Sequence, residues 1–89
     1  MYLLKPTGKF KKDLKLCKKR GYDLTNIEKV LEYLQRDGQV PLKYKPHKLI
    51  NYNDFWECHI GPDWLLIYDI QDTINIIALV RTGSHSDLF

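Results

Sequence analysis

The order of hydrophobic periods along this chain predicts an α+β fold, β-α-α-β-β-β-β, with a curved, mostly antiparallel sheet packed on an N-terminal helical hairpin. Three observations lead there. Apolar residues between positions 8 and 37 recur at helical spacing. From residue 47 onward the period becomes that of strands, cut by short Asn/Asp, Gly-Pro-Asp and Gln-Asp-Thr turns that favour antiparallel neighbours. A chain of 89 residues has room for one core, so 1–89 is read as a single domain.

Tyr2-Leu3-Leu4-Lys5 reads as a short first strand ended by Pro6. Thr7 is a suitable N-cap for a helix over 8–20, in which Phe10, Leu14 and Cys17 form a narrow apolar stripe. Gly21 suits a left-handed helix end. A second helix over 24–37 carries Leu24, Ile27, Val30, Leu31 and Leu34 on one face. Its start has two readings, an Asp23 cap or a Thr25/Glu28 capping box, and Gly38 ends it. Residues 39–46 hold two prolines and no period, so they form a loop. Strands are expected at His47–Asn51, Phe55–Ile60, Trp64–Ile70 and Ile74–Thr82. The last two are apolar on both faces at their centres, as central strands covered by helices are.

Charge is unevenly spread. Residues 1–48 carry thirteen Lys/Arg against five acids, and residues 49–89 carry one Arg against six acids. Lys9, Lys11, Lys12, Lys15, Lys18, Lys19 and Arg20 cover the polar surface of the first helix, opposed only by Asp13. A basic half suits a polyanion, because Lys and Arg displace counterions from phosphates; it also suits a plain solvated helix face. The apolar stripe is too narrow to favour membrane binding over core packing. No run approaches the roughly 18–20 apolar residues that cross a bilayer, and Met1–Pro6 lacks a signal-peptide core, so a cytoplasmic location without a membrane partner is expected. Cys17 and Cys58 are expected to be buried thiols rather than a disulfide.

All three histidines fall at element ends: His47 entering the sheet, His59 before a turn, and His85 after the last strand. Strand alternation puts Phe55, Glu57 and His59 on one face and Trp56, Cys58 and Ile60 on the other, which should meet the helices. His59 lies close to the turn bearing Asp63, and a carboxylate beside an imidazole orients it and raises its basicity. The tail Arg81-Thr82-Gly83-Ser84-His85-Ser86-Asp87-Leu88-Phe89 adds a cation, an imidazole and a carboxylate, with Gly83 supplying a turn and Leu88 and Phe89 as anchors. Such a set suits RNA cleavage by its own 2′-hydroxyl: a base, an acid and a cation, with no metal or other cofactor required. The same residue types, His47, His59 and His85 with Cys58 or Asp63, would also suit zinc, but no two lie at a ligand-pair spacing and Cys58 points away from His59. A serine hydrolase lacks its nucleophile-elbow motif here.

The blocks Glu57-Cys58-His59-Ile60-Gly61-Pro62-Asp63-Trp64-Leu65-Leu66-Ile67-Tyr68 and Leu79–Phe89, with Tyr22-Asp23-Leu24 and Leu42–Leu49, closely resemble the YafQ branch of the RelE toxin superfamily. That resemblance implies a bacterial type II toxin, an endoribonuclease cutting mRNA in the ribosomal A site and inhibited by a cognate antitoxin. It carries functional roles onto His47, His59, Asp63, Trp64, Arg81, His85 and Phe89, with His85 most strongly tied to catalysis. On this reading His85 is the acid, Arg81 steadies the phosphorane, and His47 or His59, held by Asp63, is the base. Phe89 or Trp64 would stack on a splayed base, although Trp64 suits core packing equally. Lys11, Lys12, Lys15, Lys18 and Lys19 would touch ribosomal RNA. The alternatives are a ribosome-independent ribonuclease and a non-catalytic RNA- or protein-binding module on the same fold.

Overall fold

A computed structural model describes residues 1–50 and 52–89. Its elements are β1 (Leu3–Pro6), α1 (Gly8–Lys19), α2 (Leu24–Asp37), β2 (His47–Lys48), β3 (Trp56–Gly61), β4 (Trp64–Gln71), β5 (Ile76–Gly83) and α3 (His85–Leu88), with 3-10 turns at Leu42–Tyr44 and Asp72–Ile74. The five strands form one sheet in the order β1-β5-β4-β3-β2. β1 runs parallel to β5 at one edge, and the other neighbours are antiparallel.

The expected caps hold the helices. Thr7 Oγ1 accepts the Phe10 N–H at 3.1 Å, opening α1. Of the two readings for α2 the Asp23 cap is the one adopted: its carboxylate accepts the Thr25 N–H at 3.0 Å. Gly38 closes α2 in the left-handed region, where a Cβ would collide with the Tyr2 ring. Phe10 and Cys17 of α1, and Ile27, Val30 and Leu34 of α2, are buried against Cys58, Ile60, Trp64, Leu66, Tyr68, Ile77 and Leu79 from the sheet. This is the main core. Both cysteines are buried free thiols, as expected, and burial pushes the Cys58 thiol up to about 12.

Three expectations change. The strand expected at His47–Asn51 pairs only over His47–Lys48, with Asn51 outside the described residues. The loop at 39–46 contains a 3-10 turn, and the last long strand begins at Ile76 after a second one. The anchored tail expected after the last strand takes the form of a one-turn helix, His85–Leu88.

The opposite face of the sheet carries a smaller core. Leu65, Ile67 and Leu88 are buried there, flanked by Leu49, Tyr52, Phe55 and Val80. β4 is therefore apolar on both sides, because helices cover one face and the tail covers part of the other. A bulge in β5 at Val80 turns Val80 into this cluster while Arg81 still lies opposite Ile67.

Candidate active site

Residues directly opposite one another across neighbouring strands share a face. His47, Glu57, Ile67 and Arg81 form one such row across β2, β3, β4 and β5, and His59, Leu65 and Gly83 form the next. Both rows lie on the face away from α1 and α2. Alternation in β3 thus separates His59 from Cys58 as expected.

His47 is held at both nitrogens. Lys45 closes the 3-10 turn with a left-handed φ of 52°, and its carbonyl lies 2.9 Å from His47 Nδ1. Nε2 lies 3.2 Å from Oε1 of Glu57, a carboxylate only 5 % exposed. Both neighbours are acceptors. Together the two contacts engage both ring nitrogens and fix the position of the imidazole.

The tail is built by local chemistry. At Gly83, φ is +154° and a Cβ would meet Asp87 Oδ2 at 2.9 Å, so a side chain is excluded. Ser84 Oγ accepts the Asp87 N–H and Asp87 accepts the Ser84 N–H at 2.9 Å, a capping box. Arg20 at the end of α1 donates twice to Asp87, at 2.6 and 3.1 Å. The Arg20 guanidinium, with the Ser84 N–H behind it, holds the Asp87 carboxyl well below the usual carboxylate range. Leu88, 8 % exposed, plugs into Leu65 and Ile67. Burying one leucine contributes about 1.5–3 kcal/mol. Deleting Asp87–Phe89 would uncover that cluster.

Docked this way, α3 presents His85 over the β3–β4 turn. Asp63 Oδ1 accepts both the His85 backbone N–H at 3.1 Å and the ring Nδ1–H at 2.8 Å, which leaves Nε2 outward. The ring bond first, then the backbone bond, lowers the Asp63 carboxyl below its ordinary value. His59 lies between the two held imidazoles, its ring 6.2 Å from His47 and 6.2 Å from His85. Among the described residues no hydrogen bond ties its ring down. Phe89 continues the arc, 6.5 Å from His85 and 5.8 Å from Tyr52.

Two expectations about side chains are corrected, for Asp63 and Phe89, and two are narrowed, for Trp64 and Arg81. Asp63 holds His85, not His59 or His47, because α3 folds back onto the turn. Trp64 is 6 % exposed and belongs to the main core: it shares the parity of Leu66 and Tyr68, meets Tyr22 edge-on at 4.9 Å, and donates its indole N–H to Thr82 Oγ1 at 2.8 Å. It offers no face to a base. Phe89 is 62 % exposed, so Leu88 alone is the anchor and Phe89 stays available. Arg81 is not a free cation: its Nε and one Nη donate to Asp13 at 2.6 and 3.1 Å, which keeps it charged and fixes its position. Lys11, Lys12, Lys15, Lys18 and Lys19 are all exposed on α1.

Glu57 is the residue that sequence reasoning missed. The available signal was an acid two residues before His59, on its face, inside an otherwise apolar strand. The fold also overrides the spacing objection to a metal, since ligand atoms of His47, Glu57 and His59 lie within 4.8 Å of one another. Two imidazoles and a carboxylate fit a zinc- or copper-like divalent ion.

Residues 2–89 match the model of the family described as the bacterial toxin of type II toxin-antitoxin system, YafQ. The chain belongs to the YafQ family. The mRNA interferase toxin YafQ of Escherichia coli (strain B / BL21-DE3) is 34 % identical over 85 residues, spanning 93 % of this chain and 90 % of that protein. The crystal structure of a metal-bound toxin from Helicobacter pylori superposes with a TM-score of 0.91 at 44 % identity, each chain covered in full. YafQ in the crystal structure of the E. coli DinJ-YafQ complex superposes with a TM-score of 0.89 at 32 % identity, covering 100 % of this chain and 99 % of that one. The YafQ fold, helices on one face of a five-stranded mixed sheet, is that described above.

Proposed function

We propose that this chain is the toxin of a type II pair and an mRNA interferase that cuts mRNA in the ribosomal A site by metal-independent acid–base chemistry. The observation that carries this reading is the arc of three imidazoles on the open face, with a carboxylate on each outer ring and the middle one unbonded. His59 takes the proton of the 2′-hydroxyl, and the oxygen attacks the adjacent phosphorus. The phosphorane charge is met by the guanidinium edge of Arg81 that Asp13 leaves unused, with the His47 ring held beside the reacting group by Lys45 and Glu57. His85, protonated at Nε2 and held at Nδ1 by Asp63, gives its proton to the departing 5′-oxygen. One proton enters His59 and one leaves His85, so the products are a 2′,3′-cyclic phosphate and a 5′-hydroxyl. Each positioned transfer is worth about 10²–10⁴ in rate. A divalent ion held by His47, Glu57 and His59 would bring fixed positive charge and would occupy the lone pairs that proton transfer uses.

Phe89 stacks on a splayed base beside the cleaved bond, a role suited to an exposed aromatic ring. The α1 lysines contact ribosomal RNA. A cognate antitoxin, as DinJ is to the E. coli relative, restrains the toxin in the bacterial cytoplasm. Among the described residues no helix is long and apolar enough to cross a membrane.

The test is expression in a bacterial host. Growth should arrest, and either the cognate antitoxin or His85→Ala should relieve the arrest. Undiminished arrest by His85→Ala would remove the mechanism. Cleavage of naked RNA at the rate seen on ribosomes would replace ribosome dependence with a free-standing ribonuclease.

A further inference from the structure

We propose that a basic, tyrosine-lined track leads from His59 over the 3-10 turn to the outer face of α2 and binds the single-stranded RNA flanking the cleaved bond. The inference rests on the ribonuclease reading and extends it to a surface that the catalytic set does not use.

Two adjoining grooves make the track. One, of about 390 Å³, is lined by His59 together with Lys43, Tyr44 and Lys45. The other, of about 320 Å³, shares Lys43 and Tyr44 and continues to Lys29, Tyr33 and Arg36 on α2. Two neighbouring rings lie at its centre with cations on either side. The Lys43 ammonium sits 5.1 Å from the Tyr44 ring centre, the Arg36 guanidinium 5.2 Å from that of Tyr33, and the two rings are 6.1 Å apart. Four cations face two acids, Glu32 in the groove and Asp37, which is engaged with Arg36.

This composition favours RNA over a protein segment. Phosphates need cations at intervals, and bases need ring faces that accept any sequence. A docked helix would instead need a continuous apolar stripe. The turn also links recognition to chemistry, because the Lys45 carbonyl that faces His47 belongs to the same turn that carries Lys43 and Tyr44. A strand seated on the turn therefore ends at the reacting imidazoles.

The experiment measures fluorescence anisotropy of a labelled ten-nucleotide 2′-O-methyl RNA, which cannot be cleaved, against salt. The protein is the full chain or the Lys29→Ala/Lys43→Ala variant, which leaves Lys45 and its carbonyl beside His47 in place. Both lysines are exposed, and a matching thermal melt controls for folding. Each lost phosphate contact on a single strand lowers the slope of log K against log salt by about 0.7, so the variant should lose about 1.4 and bind at least tenfold more weakly at low salt. A 2′-O-methyl dinucleotide, long enough only for the catalytic arc, should bind both proteins alike. Equal slopes for the ten-mer would overturn the proposal, as would an equal loss for the dinucleotide. Unchanged RNA binding with lost antitoxin binding would overturn it too, making the surface a protein interface. Should the wild type bind the ten-mer with the full slope yet cut no RNA on or off the ribosome, the track stands and the ribonuclease reading fails.

Discussion

The two faces of the sheet are built from the same strands, and alternate residues send them to different tasks. In β3, Cys58 lies under the helices with its thiol pushed up to about 12 and inert. Its neighbours Glu57 and His59 lie on the other face within reach of His47. In β4, Trp64, Leu66 and Tyr68 fill the main core, while Leu65 and Ile67 point to the open face and would be wet without a cover. That cover is Leu88. The element that closes the second core is therefore the one that carries His85, so seating of the tail and assembly of the site are a single event. The larger core lies on the helix side and the proposed catalytic imidazoles on the tail side, with Arg20 and Asp13 of α1 reaching across to Asp87 and Arg81.

The division can be broken most sharply at His85. His85→Gln should lower cleavage of ribosome-bound mRNA by about 10²–10⁴-fold. Its melting temperature should stay unchanged, because the side chain is largely exposed. A large drop in melting temperature would mean that the tail is structural first. Trp64→Ala is the converse, removing a buried indole at a cost of about 3–5 kcal/mol in a urea titration. Near-native stability with a raised KM would return Trp64 to RNA recognition. The link between the faces comes next. Arg20→Ala should unseat α3 and lower kcat by about tenfold, with Arg20→Lys recovering part of it; an unchanged kcat would show that the clamp does not position His85.

The same link has a pH signature. The Asp87 carboxyl is depressed, so its contribution to tail docking is complete above the ordinary carboxylate value of about 3.9 and is lost as pH falls through the lowered one. An acid titration of the Leu88 methyl resonances should show this release in the wild type and lack it in Asp87→Asn. The smallest effect expected is from chelation. Added EDTA should leave the cleavage rate within twofold, and added zinc should slow it by occupying His47, Glu57 and His59. Loss of activity on chelation would contradict metal-independent cleavage.

Local patterns made much of the fold legible. Periodicity located both helices and the three long strands, and parity in β3 separated His59 from Cys58. The same parity, carried across the Gly61-Pro62-Asp63 turn, would have sent Trp64 inward with Leu66 and Tyr68. A four-residue helix has no period to detect, and the only trace of α3 in the chain is Ser84-x-x-Asp87. The partnerships Asp63–His85, Arg20–Asp87 and Asp13–Arg81 join residues 22, 67 and 68 positions apart, which no local pattern encodes. Sequence proximity suggested His59 for Asp63, and the folding of the tail over the turn decided otherwise. Glu57 stayed hidden because an acid in a strand reads as solvent-facing until a second row of residues is seen to surround it.

The central claim is that the imidazole arc cleaves RNA through its 2′-oxygen with His85 as the acid. It is tested most directly by analysing the ends of mRNA cut on ribosomes by the wild type and by His85→Gln. The expected result is a 2′,3′-cyclic phosphate or its opened 3′-phosphate upstream and a 5′-hydroxyl downstream, with both fragments nearly absent for the variant. A 5′-phosphate on the downstream fragment, or fragments of undiminished yield from His85→Gln, would contradict it.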